Sequence, residues 1–157
     1  KGAPDTKAMV ACSYNVEGIS KLSGERIQHE LLKLLEASNP LPTLTQMQKV
    51  GIAGVLVKNA VFELELFARL QQGEELLATQ AEIETRMAVL FPADTFSTLA
   101  ERLKLPNATK EIIENLYENL KTLSSISIDA AKGKKLLRRI GITPFKQAIL
   151  LASATQE

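Results

Sequence analysis

The side chains of this sequence most suited to metal, acid–base or nucleophilic chemistry are few and scattered. Asp5, Asp94 and Asp129 are the only aspartates, His29 is the only histidine and Cys12 the only cysteine. Phosphoryl transfer through two metal ions needs closely set carboxylates, and no Asp-x-Asp pair occurs. No Gly-rich phosphate loop is present. A Ser/His/Asp or Cys/His arrangement would have to use His29, which falls within an amphipathic helical pattern. One cysteine and one histidine exclude a disulfide framework and a Cys/His zinc site. No residue is put forward as catalytic or as a metal ligand, and the chain alone is expected to be inert and to hold no cofactor.

Binding chemistry is better represented. Between Ser127 and Lys146 stand six cations, Lys132, Lys134, Lys135, Arg138, Arg139 and Lys146, against one anion, Asp129. From Ala60 to Phe91 the balance reverses, with Glu63, Glu65, Glu74, Glu75, Glu82 and Glu84 against Arg69 and Arg86. A net charge of +1 therefore hides an electrically lopsided chain. Lys135, Arg138 and Arg139 share one face of a predicted helix near 130–140, while Leu136, Leu137 and Ile140 can face a core. Such a face could grip phosphates without reading bases. Cations near a helix C-terminus also complement its dipole, with Gly141 as the cap, and the spacing alone does not choose between these roles.

The elements that would position these groups are helices throughout. Leu22 and Ile27 bracket Ser23 as a staple brackets an N-cap, and Ile27, Leu31, Leu34 and Leu35 then fall on one face. Pro40 and Pro42 end that helix. Thr43 and Gln46 form a capping-box pattern for a short helix stopping near Gly51. Good helix formers run from about Val55 to Phe91, with Gly73 the expected break. Pro92 and Asp94 open the next helix, whose apolar face is Phe96, Leu99, Ala100 and Leu103. Asn107 caps another, carrying Ile113, Leu116, Tyr117 and Leu120. Thr143-Pro144 opens the last. Phe62, Phe67, Phe91, Phe96, Tyr117 and Phe145 read as core residues, Cys12 as a small buried one, and His29 as a surface residue; Tyr14 is undecided. No segment alternates as a strand, so the fold class is all-α, a bundle of short helices. An apolar share of 45% in 157 residues supports a real core. No run approaches the roughly 18 apolar residues of a membrane span. The expected compartment is the cytoplasm. A start at Lys1 rather than Met suggests a piece excised from a longer protein.

One stretch carries more than periodicity. Leu22-Ser23-Gly24-Glu25-Arg26-Ile27-Gln28-His29-Glu30-Leu31-Leu32-Lys33-Leu34-Leu35 resembles the Ser-x-Glu-Arg…Glu-Leu-x-Lys-Leu-Leu neck motif of class II, bacterial-type tRNA nucleotidyltransferases and poly(A) polymerases. Pro40, Pro42, Leu44, Met47 and Gly51 follow in the family's order. Leu103-Lys104-Leu105 with Asn107-Ala108 is similar to its Leu-Arg-Leu-Ser-Asn-Ala element. Arg138-Arg139-Ile140-Gly141, Phe145 and Leu150-Leu151-Ala152 are similar to its Tyr-Arg-x-Gly…Phe…Leu-Leu-x-Ala stretch. The resemblance implies neck-like helices over 1–52 and a helical body over 53–157. It also implies that the catalytic head, with its Gly-Ser and Asp-x-Asp motifs, and the Glu-Asp-x-x-Arg motif after it lie ahead of Lys1, because the neck motif follows them in family order; none of these motifs is present here.

What the resemblance carries over is a supporting role for Glu25, Arg26 and Glu30, bracing the helices that shape a nucleotide pocket. Without it, three charges on a solvated helix face would need no role, and Arg26 and Glu30 at i, i+4 are worth only about 0.2–0.5 kcal/mol. It also implies contact between Lys132, Lys134, Lys135, Arg138 and Arg139 and a tRNA acceptor–TΨC arm. The parent would add nucleotides to an RNA 3′ end from CTP or ATP with Mg²⁺. A helical protein-interaction module without an RNA role is the alternative. An appended HD-type phosphohydrolase is disfavoured, since one histidine cannot build its site. Apolar helices left without their parent partners could also pair two copies of the chain.

Overall fold

The computed structural model describes residues 6–79, 81–124, 146–147 and 149–150. Among them are eight α-helices and no strand: α1 (Thr6–Asn15), α2 (Gly24–Leu35), α3 (Leu41–Lys49), α4 (Ile52–Leu56), α5 (Leu64–Leu76), α6 (Ile83–Leu90), α7 (Ala93–Leu103) and α8 (Asn107–Ser124). A 3₁₀ segment, Val16–Lys21, joins α1 to α2. The all-α expectation holds for everything described.

At the centre of the bundle is α6. Every residue from Thr85 to Leu90 is buried, and the helix packs against α2, α5 and α8. Its apolar end, Met87 to Leu90, is buried on every side, and Thr85 and Arg86 are buried with it. Around it, α2 also meets α7, α3 meets α4 and α5, and α4 meets the 3₁₀ segment. Phe67, Leu70, Leu90, Phe91, Leu99 and Leu103 form part of the shared core. Phe62 and Phe91 meet edge to face at 5.4 Å, and Phe96 and Tyr117 at 5.7 Å. The Tyr117 hydroxyl donates to the Phe91 carbonyl at 2.8 Å. Phe62 and Phe91 lie just outside helices, but their burial agrees with the core assignment.

Several expected boundaries hold. Ser23 is the N-cap of α2, its Oγ accepting from the Arg26 N–H at 3.3 Å. Ile27, Leu31 and Leu35 are buried and Leu34 half-buried. Gly51 takes the left-handed conformation (φ 85°) that ends α3. The face Phe96, Leu99, Ala100 and Leu103 of α7 is fully buried.

Two expectations are corrected. Thr43 and Gln46 do not cap α3. The helix starts two residues earlier at Leu41, with Pro40 as N-cap and Pro42 in the first turn, where a missing N–H costs nothing. Nor does Gly73 break the segment from 55 to 91. The chain leaves helix at Val57, re-enters at Leu64 and runs through Gly73 to Leu76. It stops at Ala78, which adopts the left-handed conformation (φ 47°). There Thr79 N–H bonds the Glu74 carbonyl at 3.0 Å and Ala78 N–H the Glu75 carbonyl at 3.2 Å, a Schellman ending built on alanine.

Candidate functional site

The neck-like motif sits at the N-terminus of α2, and its geometry explains the sequence Ser23-Gly24-Glu25-Arg26 residue by residue. Gly24 is buried against the end of α7, so close that a Cβ there would overlap the Arg102 carbonyl. Only glycine lets α2 approach this far. Arg102 returns the contact, its Nη2 donating to the carbonyls of Ile19, Ser20 and Leu22 at 3.3, 3.2 and 3.1 Å. Those carbonyls close the 3₁₀ segment, where Ile19 also accepts from the Leu22 N–H at 3.1 Å. One residue past α7, Lys104 turns left-handed (φ 54°) and its Nζ donates to Glu25 Oε1 at 2.7 Å. That hydrogen bond holds the Glu25 carboxyl below its ordinary pKa. Both side chains are more than half exposed, so the pair adds register more than stability.

The other end of α2 is held more tightly. Arg86, on the central helix and 1% exposed, donates through Nη1 to the carbonyls of Leu35 at 2.5 Å and Ala37 at 2.6 Å. Its Nε and Nη2 make a two-pronged pair with Glu74 of α5 at 2.8 and 2.6 Å. Glu74 also accepts from the Ala81 N–H at 2.8 Å. Four stretches of chain converge on this buried charge pair, with each carboxylate oxygen and guanidinium nitrogen engaged. Sequence reasoning counted Glu74 and Arg86 only as members of an acidic stretch. The signal available was an arginine followed directly by the apolar run Met87 to Phe91, a position that demands a partner if the run is buried. Gln147 was missed likewise: it is buried, and its Oε1 accepts from Glu82 N–H at 3.1 Å and Thr85 Oγ1 at 2.9 Å.

Arg26 and Glu30 are exposed and make no ion pair with each other. Both border a groove of about 340 Å³ between α2, α3, α4 and the 3₁₀ segment. Its walls are aliphatic: Ile27, Leu31, Leu34, Met47, Ile52 and Leu56. The motif is thus split by the structure. Glu25 ties α2 to α7, whereas Arg26 and Glu30 face an open apolar groove.

His29 is exposed, as expected, and Tyr14 is 83% exposed. Lys132, Lys134, Lys135, Arg138 and Arg139 lie outside the described residues, as do Gly141, Thr143-Pro144 and Phe145, and so do the side chains of Cys12 and Leu120. Lys146 is described and exposed. Among the described residues, no three His, Cys, Asp or Glu side chains are grouped so as to hold a metal ion. No helix of the described residues is long and apolar enough to cross a membrane.

Residues 3–62 match a protein-family model described as "Probable RNA and SrmB- binding site of polymerase A". That span takes in α1 through α4, both walls of the groove and the whole neck-like motif. The N-terminal part of the chain is therefore similar to the RNA-binding region of the poly(A) polymerase family. No curated protein matches the chain.

Proposed function

We propose that this chain is the RNA-holding and pocket-bracing helical part of a template-independent nucleotidyltransferase, a tRNA CCA-adding enzyme or a poly(A) polymerase relative. The observation that carries the reading is the match over residues 3–62, a span that contains α2, the helix clamped at both ends. In this reading residues 1–52 are the neck and 53–157 the body. The parent's head, outside these 157 residues, would hold Mg²⁺ and select CTP or ATP. Metal and nucleotide would bind there, since the sequence here has no Asp-x-Asp pair to receive them.

Each part of the chain then has a task. Glu25, through Lys104, sets the angle of α2 on α7. Arg86 and Arg102 fix the ends of α2, so that a pocket built against it keeps its shape. Lys132, Lys134, Lys135, Arg138 and Arg139 grip the phosphates of a tRNA acceptor–TΨC arm in the cytoplasm. RNA of this form is held by backbone charge and shape more than by base reading. The family description's second partner, SrmB, extends the reading from RNA alone to RNA and SrmB.

The test is binding of a fluorescent acceptor–TΨC minihelix to the chain and to a triple variant, Lys135→Ala, Arg138→Ala and Arg139→Ala. Binding by the wild type and its loss in the variant is the expected outcome. Equal binding by both would move the RNA grip elsewhere. Absence of binding by either would remove the RNA-holding role.

A further inference from the structure

The span from 3 to 62 holds two large aromatic side chains, Tyr14 and Phe62, and the fold treats them in opposite ways. Phe62 is 2% exposed and meets Phe91 edge to face. Tyr14, in the last turn of α1, is 83% exposed. Every other phenylalanine and tyrosine among the described residues is buried or half-buried. An aromatic ring stabilises a fold by the area it buries, so Tyr14 contributes little to this one.

The ring stands in polar surroundings. Ser13 Oγ donates to the Val10 carbonyl at 2.7 Å and Asn15 Nδ2 to the Ala11 carbonyl at 2.8 Å, so both neighbours fold back on α1 and leave the ring prominent. Glu17, Ser20 and Lys21 beyond it are exposed, and Val10, one turn before it, is 49% exposed. A protein-docking surface is a contiguous apolar patch, which one ring and half a valine do not make. An unpaired base needs only the face of one ring, and every base has a π-face to lay on it. Charge along the stretch is balanced, Glu17 against Lys21 and Arg26 against Glu30, with Glu25 engaged by Lys104. Stacking suits such a surface better than a phosphate contact does. His29 and Arg26, exposed on α2, offer smaller planes.

We infer that Tyr14 is a stacking platform for an unpaired base of RNA. The inference rests on the reading of this chain as RNA-holding, and on the match that places RNA binding within residues 3–62. It adds the form of RNA, a single-stranded stretch, and the residue that meets it. A base contact thus lies inside the matched span, beside the phosphate grip proposed for the basic segment.

The experiment titrates the full chain with a short labelled oligoadenylate and with a blunt RNA duplex, over a range of salt, for the wild type, Tyr14→Ala and Tyr14→Phe. At so exposed a helical position neither substitution disturbs packing, and alanine is the better helix former. Oligoadenylate affinity is expected to fall about fivefold to a hundredfold in Tyr14→Ala, by the same factor at every salt concentration, because stacking releases no counterions. Tyr14→Phe keeps the affinity, and duplex binding is the same in all three. A second readout is optical: the chain has two tyrosines and no tryptophan, so in Tyr117→Phe the remaining tyrosine emission comes from Tyr14. Oligoadenylate is expected to quench it, and emission unchanged at saturation overturns the inference. Undiminished oligoadenylate binding by Tyr14→Ala, or wild-type binding confined to the duplex, overturns the inference and leaves the RNA reading standing. Equal loss in Tyr14→Phe also overturns it, since the ring would then not be what binds. Wild-type binding of neither RNA removes the inference and the RNA reading together.

Discussion

Arg86 is the residue on which the described bundle most depends. Its guanidinium is buried, paired with Glu74 and bonded to the last carbonyls of α2. Arg86→Met strands the Glu74 carboxylate and frees the α2 carbonyls, so urea unfolding is expected to show a loss of about 3–5 kcal/mol. Adding Glu74→Leu should return part of that loss, since the stranded charge goes while the carbonyls stay unpaired. Tyr117 offers a pH readout. Burial, with Asp94 adding to it, raises the phenol's pKa well above its ordinary value of 10.0. Above that value the unfolded chain releases a proton that the folded chain retains, so stability should fall as pH rises past about 10. Tyr117→Phe costs about 1 kcal/mol at neutral pH through the lost bond to Phe91, and its melting curves should decline less between pH 9 and 11.

Among the elements, α2 was legible almost completely and α5 was not. Cap, staple position and apolar face of α2 are all local signals, readable from residues 22–35. What holds its ends is not local: Gly24 meets Arg102, and Leu35 meets Arg86, across large separations in sequence. For α5 the signal misled, because a glycine usually marks the left-handed end of a helix and here Gly73 sits inside it. The helix continues because Glu74 must be presented from a helical turn to Arg86, and that pair outweighs the roughly 1 kcal/mol that glycine costs. The left-handed position falls to Ala78, where a non-glycine residue is strained by about 1–2 kcal/mol. Ala78→Gly is therefore expected to raise stability by about 1 kcal/mol in thermal or urea unfolding. Gly24→Ala should do the opposite, losing about 1–3 kcal/mol as α2 is pushed off α7.

On the scale of the whole molecule, charge and packing divide the work. The acidic stretch from 60 to 91 is only partly a solvated surface, since Glu74 and Arg86 leave it to form the buried pair. The basic stretch from 127 to 146 sets six cations against a single acid, Asp129. The stretch from Ser23 to Glu30 was legible as the start of a helix, but its division of labour was not. Spacing put Glu25, Arg26 and Glu30 on neighbouring positions of one helix; only the packing of α7 and α3 shows that one braces and two border a groove. If the chain holds RNA through phosphate contacts, as proposed, the salt dependence of minihelix affinity must show it. If three or more phosphates are neutralised, log affinity should fall against log salt with a slope of about −2 to −3 or steeper. Affinity that ignores salt, or no affinity at the lowest salt, would show that the chain does not hold RNA in this way.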